Sequence, residues 1–282
     1  MTGDGGDVGD VVRDDRGLPL AVDRPVRRVV SLVPSLTETV ALTRPDLLVG
    51  ATRWCTHPAG LDVARVGGTK NPDVAAVVAL APDVVLVNDE ENRREDVEAL
   101  RAAGVACWVT GPRTVAAALD SLSRLVRGAL GVATEPGWLT AARAAWVPRP
   151  VPAGPDAVAA LEPAVVPVWR RPWVVVGSDT FAGDVLLRLG VRNLYDDAAE
   201  RYPRPSLAEL RSRDAALVVL PDEPYVFTPD DGPEAFPGVP CALVSGRHLT
   251  WYGPSLAEAP RVLAGQLARR TLGPATPPAS AP

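Results

Sequence analysis

The chain has 282 residues, 47% of them apolar and 22% charged, enough for one large or two modest globular domains, which excludes a mini-protein and a wholly disordered chain. Glycine (24) and proline (30) together stay under a fifth of the residues, below the roughly 25–30% of low-complexity chains, so they punctuate a fold. A net charge of −5 without a dense basic block excludes an electrostatic footprint for nucleic acid or an anionic membrane, leaving a small molecule or a protein as partner.

Three cysteines, at 55, 107 and 241, show no CxxC spacing and leave an odd thiol, which argues against a disulfide framework and for a reducing compartment. Residues 1–16 are acidic and glycine-rich where a secretory signal carries a positive region and an apolar run. The longest apolar stretch, Val74 to Val87, is broken by Pro82 and Asp83 and is shorter than the roughly 20 residues that span a bilayer. A cytoplasmic protein with no membrane insertion is therefore expected.

Taken in order, residues 1–24 read as a disordered tail and lead-in, 25–132 as an N-terminal α/β lobe, 133–160 as a bridging helix and proline-rich connection, 161–270 as a second α/β lobe, and 271–282 as a disordered tail. In the first lobe, β-branched runs at Arg28–Val33, Asp83–Val87 and Val105–Val109 alternate with helix-period segments at Ser35–Leu42, Pro72–Leu80, Arg93–Ala103 and Thr114–Leu130. Pro136–Trp146 reads as the single helical connection. Strands near Val165–Trp169, Val174–Gly177 and Leu217–Leu220 then alternate with helices at Thr180–Leu189, Leu207–Arg211 and Leu256–Arg269. Repeated strand, helix, strand means βαβ units and mostly parallel sheets.

The halves repeat one another. Asp73–Glu91 aligns without gaps on Ser206–Pro224, each an amphipathic helix leading to a Val/Leu strand that ends in Asp-Glu. Val29–Ser35 and Val174–Ser178 are a second matched pair, strands running into a serine, with Glu38 completing a capping box for Ser35. Asn71-Pro72 and Ser206-x-x-Glu209 mark the two repeat-helix starts. Two such lobes imply a cleft, and open parallel sheets bind ligands beyond the carboxyl ends of their strands.

Four segments carry a family resemblance: PVRRVVSLVPSLTE, VGGTKNPDVAAVVALAPDVVLVNDEENRREDVEALRAAGV, VVGSDTFAGDVLLRLG and LTWYGPSLAEAPRVL. Over about residues 25–270 the chain resembles the cobalamin and iron-siderophore binding-protein superfamily, the helical-backbone metal receptors of ABC importers. The resemblance implies a class III substrate-binding-protein-like fold, two Rossmann-like βα lobes joined by a bridging helix. It also implies a non-catalytic role, with cobalamin or a related corrinoid or metal chelate as ligand and no nucleotide cofactor. Family relatives are periplasmic or surface-anchored. In the vitamin B12 receptors a glutamate early in each repeat helix meets an ABC permease; the aligned positions here are Ala75 and Ala208.

The candidate ligand-binding residues are Ser35, Trp54, Cys55, His57, Lys70 and Glu90 in the first lobe, and Trp169, Trp173, Asp179, Phe181, Glu223, Tyr225 and Trp251 in the second. Cys55 and His57, two residues apart, can face one metal or supply an axial ligand to a corrinoid cobalt or haem iron. The same pair is the alternative nucleophile and base of a cytosolic cofactor-processing enzyme. Lys70, the only lysine, stands in a glycine turn before a helix, where an anion is favoured. The aromatic residues offer flat apolar faces with polar handles, suited to a large macrocycle.

Overall fold

The computed structural model describes residues 12–20, 22 and 25–272; the expected tail residues 1–11 and 273–282 lie outside them. The chain forms two compact units. Unit 1 comprises the residues up to Pro112, Ala117–Thr140 and the distant segment Tyr252–Pro254, and unit 2 comprises Arg113–Ala116, Ala141–Trp251 and the residues from Ser255.

In unit 1, β1 (Val29–Ser31), α1 (Pro34–Thr43), β2 (Leu48–Ala51), β3 (Ala64–Arg65), α2 (Val74–Ala79), β4 (Val84–Asn88), α3 (Arg94–Ala102) and β5 (Cys107–Thr110) build an all-parallel sheet of order β3-β2-β1-β4-β5. β4 is buried along its whole length, as a central parallel strand covered on both faces must be. Val30, Val85 and Val87 pack with Val77 of α2 and Leu100 of α3. α4 (Val115–Arg124) runs into a π-helical turn at 125–129, and the chain passes from unit 1 to unit 2 within α5 (Gly137–Trp146).

Unit 2 holds α6 (Pro155–Ala159), β6 (Glu162–Val165), β7 (Pro167–Arg170), β8 (Trp173–Val175), α7 (Phe181–Arg188), β9 (Val191–Asn193), α8 (Leu207–Ser212), β10 (Leu217–Pro221), β11 (Pro240–Val244), α9 (Gly246–Thr250), α10 (Ala259–Ala268) and β12 (Thr271–Leu272). Its sheet has the order β12-β11-β10-β6-β9, parallel except for β12, while β7 and β8 form a separate antiparallel hairpin. The α/β architecture with mostly parallel sheets is thus present in each unit.

The repeat is carried into the backbone. A shift of the numbering from Val74–Ala79 to Leu207–Ser212 and from Val84–Asn88 to Leu217–Pro221 follows the gapless sequence match, and both helix and strand keep their bounds. Asp73 accepts the Ala76 N–H at 2.9 Å and Ser206 accepts the Glu209 N–H at 3.1 Å, the same cap at the same place. The register repeats as well: Val85 pairs Cys107 where Val218 pairs Cys241.

Six expectations change. The counterpart of β1 is β6, which pairs β10 as β1 pairs β4, so Val174 belongs to a hairpin and not to the repeat. Ser35 caps nothing: Pro34 opens α1 after Val33, leaving Ser35 inside the helix without a capping box. The helix after Asn71-Pro72 starts at Val74, capped by Asp73, and the helix after Ser178 is capped by Thr180. The lead-in is docked, not free: residues 12–20 fold on unit 1, and Thr271–Leu272 pair with β11 where a tail is expected.

Candidate functional site

In unit 1 the carboxyl ends of β1, β2 and β4 carry the candidate residues, and the turn after β4 is the best organised of them. The Asn88 side-chain oxygen accepts the N–H groups of Glu90 (2.7 Å) and Glu91 (2.9 Å), while the Asn92 side chain accepts the Asn88 N–H (2.8 Å) and donates to Thr69 O (2.9 Å). Asn88 Nδ2 donates to the buried Tyr252 hydroxyl, which also meets Thr110 Oγ1 at 2.9 Å. This lattice holds Glu90 half-exposed, and Lys70 Nζ donates to its carbonyl at 2.6 Å. Lys70 is exposed and keeps two further N–H donors for a ligand. The N-terminus of α2 is already filled by the Asp73 carboxylate, so the turn is not an open anion cradle.

Beyond β2, Trp54 is 62% exposed and His57 is half-buried, with Nδ1 3.2 Å from Thr56 Oγ1. Cys55 faces the other way. Its thiol sits in the core between Thr37 Oγ1 (3.0 Å) and Thr52 Oγ1 (3.2 Å), and burial pushes its pKa up. The expectation that Cys55 joins His57 on one metal is corrected: the turn closed by Cys55 N–H on Thr52 O (3.2 Å) sends the thiol into the core, where it accepts the Thr37 hydroxyl, while His57 stays half-buried. Ser35 is also sealed, its Oγ buried without a hydrogen-bond partner and its carbonyl backed by Gly253, where a Cβ would come within 2.9 Å. Among the described residues, no three His, Cys, Asp or Glu side chains group as a metal site.

In unit 2 a cluster of aromatic rings stands past the ends of β6 and β10, with Phe227 and Phe236 in the core and Trp169 exposed. Trp169 meets Tyr225 edge-on (centroids 5.7 Å), Tyr225 tilts against Phe227 (4.7 Å), and Phe227 stacks on Trp173 (6.2 Å), which rests edge-on against Phe236 (5.6 Å). The hairpin β7–β8 places both tryptophans, and Arg170 between them lies 5.5 Å over Trp173 and binds Asp231 and Glu234. Tyr225 donates to Asp231 at 2.6 Å, so Asp231 serves both Tyr225 and Arg170. Trp169 (43%) and Val226 (64%) remain exposed at the rim of the cluster.

Glu223, the counterpart of Glu90, accepts the Trp251 indole N–H at 3.0 Å. Burial and then the neighbouring Asp222 raise its pKa, against the pull of Trp251 and Arg247. Phe181 and Trp251 are buried and serve as support; Asp179 is exposed, at φ +48°, 3.8 Å from Arg113. The sequence candidates leave out Asn88 and Phe236, since neither a strand-end asparagine nor a lone phenylalanine carries a signal of its own.

Each unit is a mostly parallel sheet with helices, and this α/β fold is shared with solved structures of periplasmic binding proteins. The periplasmic vitamin B12 binding protein BtuF of Vibrio cholerae is similar in structure at 14% identity over 86% of this chain and 97% of that one, with a TM-score of 0.65. A periplasmic heme binding protein from Pseudomonas aeruginosa matches at 23% identity over 88% and 96%, TM-score 0.66, and Helicobacter pylori CeuE with Ni(II) bound at 14% over 91% and 88%, TM-score 0.72. No family model and no curated protein matches the chain. These neighbours overturn the cytoplasmic expectation drawn from the cysteines and residues 1–16: the B12- and heme-binding proteins that share this fold are periplasmic, which points outside the cytoplasm. Among the described residues no helix is long and apolar enough to cross a membrane.

Proposed function

We propose that the chain is a non-catalytic solute-binding protein for a metal chelate with a broad, flat apolar face, of the corrinoid or tetrapyrrole kind. The observation that carries this reading is the aromatic cluster of unit 2, in which Trp169 and Val226 are exposed while Phe227 and Phe236 anchor it in the core. A macrocycle offers the apolar area that its exposed part can bury. Unit 1 taken by itself presents Trp54 as an exposed ring, His57 as a half-buried imidazole and Lys70 as an exposed ammonium beside the Glu90 carbonyl, groups suited to such ligands. A cofactor-processing enzyme built on Cys55 is not supported, since burial holds the thiol protonated.

Delivery to an ABC permease is the extension of this reading. Ala75 and Ala208 are exposed where the family resemblance puts docking glutamates, and Asp73 and Glu209 beside them already serve as helix cap and as acceptor for Tyr195 (3.3 Å). A permease contact would rest on other surface residues.

Titration of the purified protein with cyanocobalamin, hemin and a ferric siderophore, read by the ligand's visible band and by tryptophan quenching, tests the proposal. Saturable binding of one of them is expected. Trp169→Ala should weaken it about tenfold, the equivalent of roughly 1.4 kcal/mol. Flat titrations with all three overturn it.

A further inference from the structure

The chain is acidic, with 34 Asp and Glu against 29 Lys and Arg, yet residues 52–72, which follow β2, reverse the balance: they carry Arg53, Arg65 and Lys70 against Asp62 alone. Backbone bonds tie this stretch into unit 1. Arg53 N–H donates to Gly67 O (2.9 Å), Gly68 N–H donates to Asn71 O (3.0 Å), and the Asn92 amide holds the turn at Thr69 O (2.9 Å). The side chains of the turn therefore start from a fixed frame.

Two of them stand over Gly68. A Cβ at that glycine would lie 3.4 Å from the Trp54 indole Nε1 and 3.8 Å from Arg53 Nε and Nη2. Lys70, two residues along the turn, gives one N–H to Glu90 O and keeps two. Arg53, Trp54 and Lys70 are all exposed, and among the described residues none of the three pairs with a carboxylate. Arg65, the third base of the stretch, is spent on the carbonyls of Thr52, Cys55 and Leu61. The helix end of the turn is closed by Asp73, so an anion reaching it is met by these side chains and not by helix N–H groups.

We propose that Arg53, Trp54 and Lys70 form a carboxylate subsite, and that the chelate bound by this chain is a macrocycle with peripheral carboxylates in preference to one with neutral amides. The inference rests on the macrocyclic-chelate reading above and narrows it. All three groups donate and none accepts, which matches a carboxylate, an acceptor throughout. An amide would offer them one oxygen and leave its NH2 unmet. Charge adds to the difference, since a hydrogen bond between ionised partners is roughly twice as strong as a neutral one.

The test uses two matched rings, dicyanocobyrinic acid with carboxylate side chains and dicyanocobinamide with amides, and hemin as a third probe. At about 0.1 M salt the full chain should bind the acid about tenfold more tightly than the amide, and the margin should shrink as salt rises. In the chain carrying both Arg53→Gln and Lys70→Gln the two rings should bind alike, and hemin, with its two carboxylates, should lose about tenfold. Unchanged binding of the amide ring by that variant checks that its fold is intact. Lys70→Arg keeps the charge and should keep the preference, while Trp54→Phe keeps a ring without the N–H and should reduce it roughly threefold. Arg94→Gln, the same loss of charge on α3, should change neither affinity. Equal affinity for the two rings in the unaltered chain, or a preference or a hemin affinity that survives the double variant, overturns this inference and leaves the chelate reading standing. Flat titrations with all three rings remove both.

Discussion

Glu223 shows how a single side chain can be read for both site and stability. Its carboxyl lies between burial and Asp222, which favour the neutral acid, and the Trp251 indole and Arg247, which favour the charge, and the balance raises its pKa from the usual 4.5. A carboxyl whose pKa is raised by folding binds its proton more tightly in the folded state. It therefore contributes most below the ordinary carboxylate range, and that contribution is lost as the pH rises through the raised value. Glu223→Gln keeps an oxygen for the Trp251 N–H and removes the charge. The variant should melt higher than the unaltered chain at pH 7 and indistinguishably near pH 4; a lower melting point at pH 7 would show that the charge is stabilising. Trp54, His57, Glu223 and Tyr225 stand in strand-end loops, as alternating strand and helix patterns place them, while Trp169 and Trp173 stand in the strands of the β7–β8 hairpin. What sequence did not disclose was accessibility. Cys55 lies two residues from His57 yet bonds inward to Thr37 and Thr52, and Ser35 is sealed by Gly253, more than two hundred residues away.

At the scale of elements, the repeat makes a paired experiment possible. Asp73 and Ser206 cap equivalent six-residue helices by equivalent bonds, and each helix sets one apolar residue, Val77 or Leu210, in its unit's core. Helices this short do not persist alone, so the cap and the core contact together hold them. Asp73→Ala and Ser206→Ala should each cost about 1 kcal/mol by denaturant titration, with faster amide exchange confined to α2 or α8 respectively. A cost of several kcal/mol at only one site would mean that the two caps are not equivalent in energy. The same repeat explains which parts of the fold the sequence made visible. α2, β4, α8 and β10 carry long unbroken patterns and fall where the gapless match puts them. β6 and β11 carry prolines at or near their starts, Pro163 and Pro240, and so read as loop. With β6 hidden, the apolar run Val174–Gly177 takes its place in a sequence reading, although in the structure Val174 and Val175 belong to the β7–β8 hairpin past the end of β6.

The whole molecule is not partitioned as its sequence runs. Tyr252–Pro254 is flanked on both sides by residues of unit 2 and yet belongs to unit 1. Its anchor is the Tyr252 phenol, buried and hydrogen-bonded to Asn88 and Thr110 at the ends of β4 and β5. Burial foremost holds that phenol well above its ordinary pKa, so it stays neutral and serves both partners at every working pH. Asn88 in turn organises the turn that presents Glu90, which makes a residue near the end of the chain a support for a loop of the first half. Tyr252→Phe keeps the ring and removes the hydroxyl, leaving the Asn88 amide without its acceptor in a buried place. The cost should be about 1–3 kcal/mol, the usual penalty of a buried donor left unmet. Its location is the sharper expectation. Amide exchange should quicken in Val85–Asn88 and at Glu90 and Glu91, while Val218–Leu220, in the unit that holds Trp251 and Ser255 on either side of the triplet, should keep its protection. Equal loosening of both sheets would show instead that the triplet's flanks, and not its hydroxyl, bind it in place.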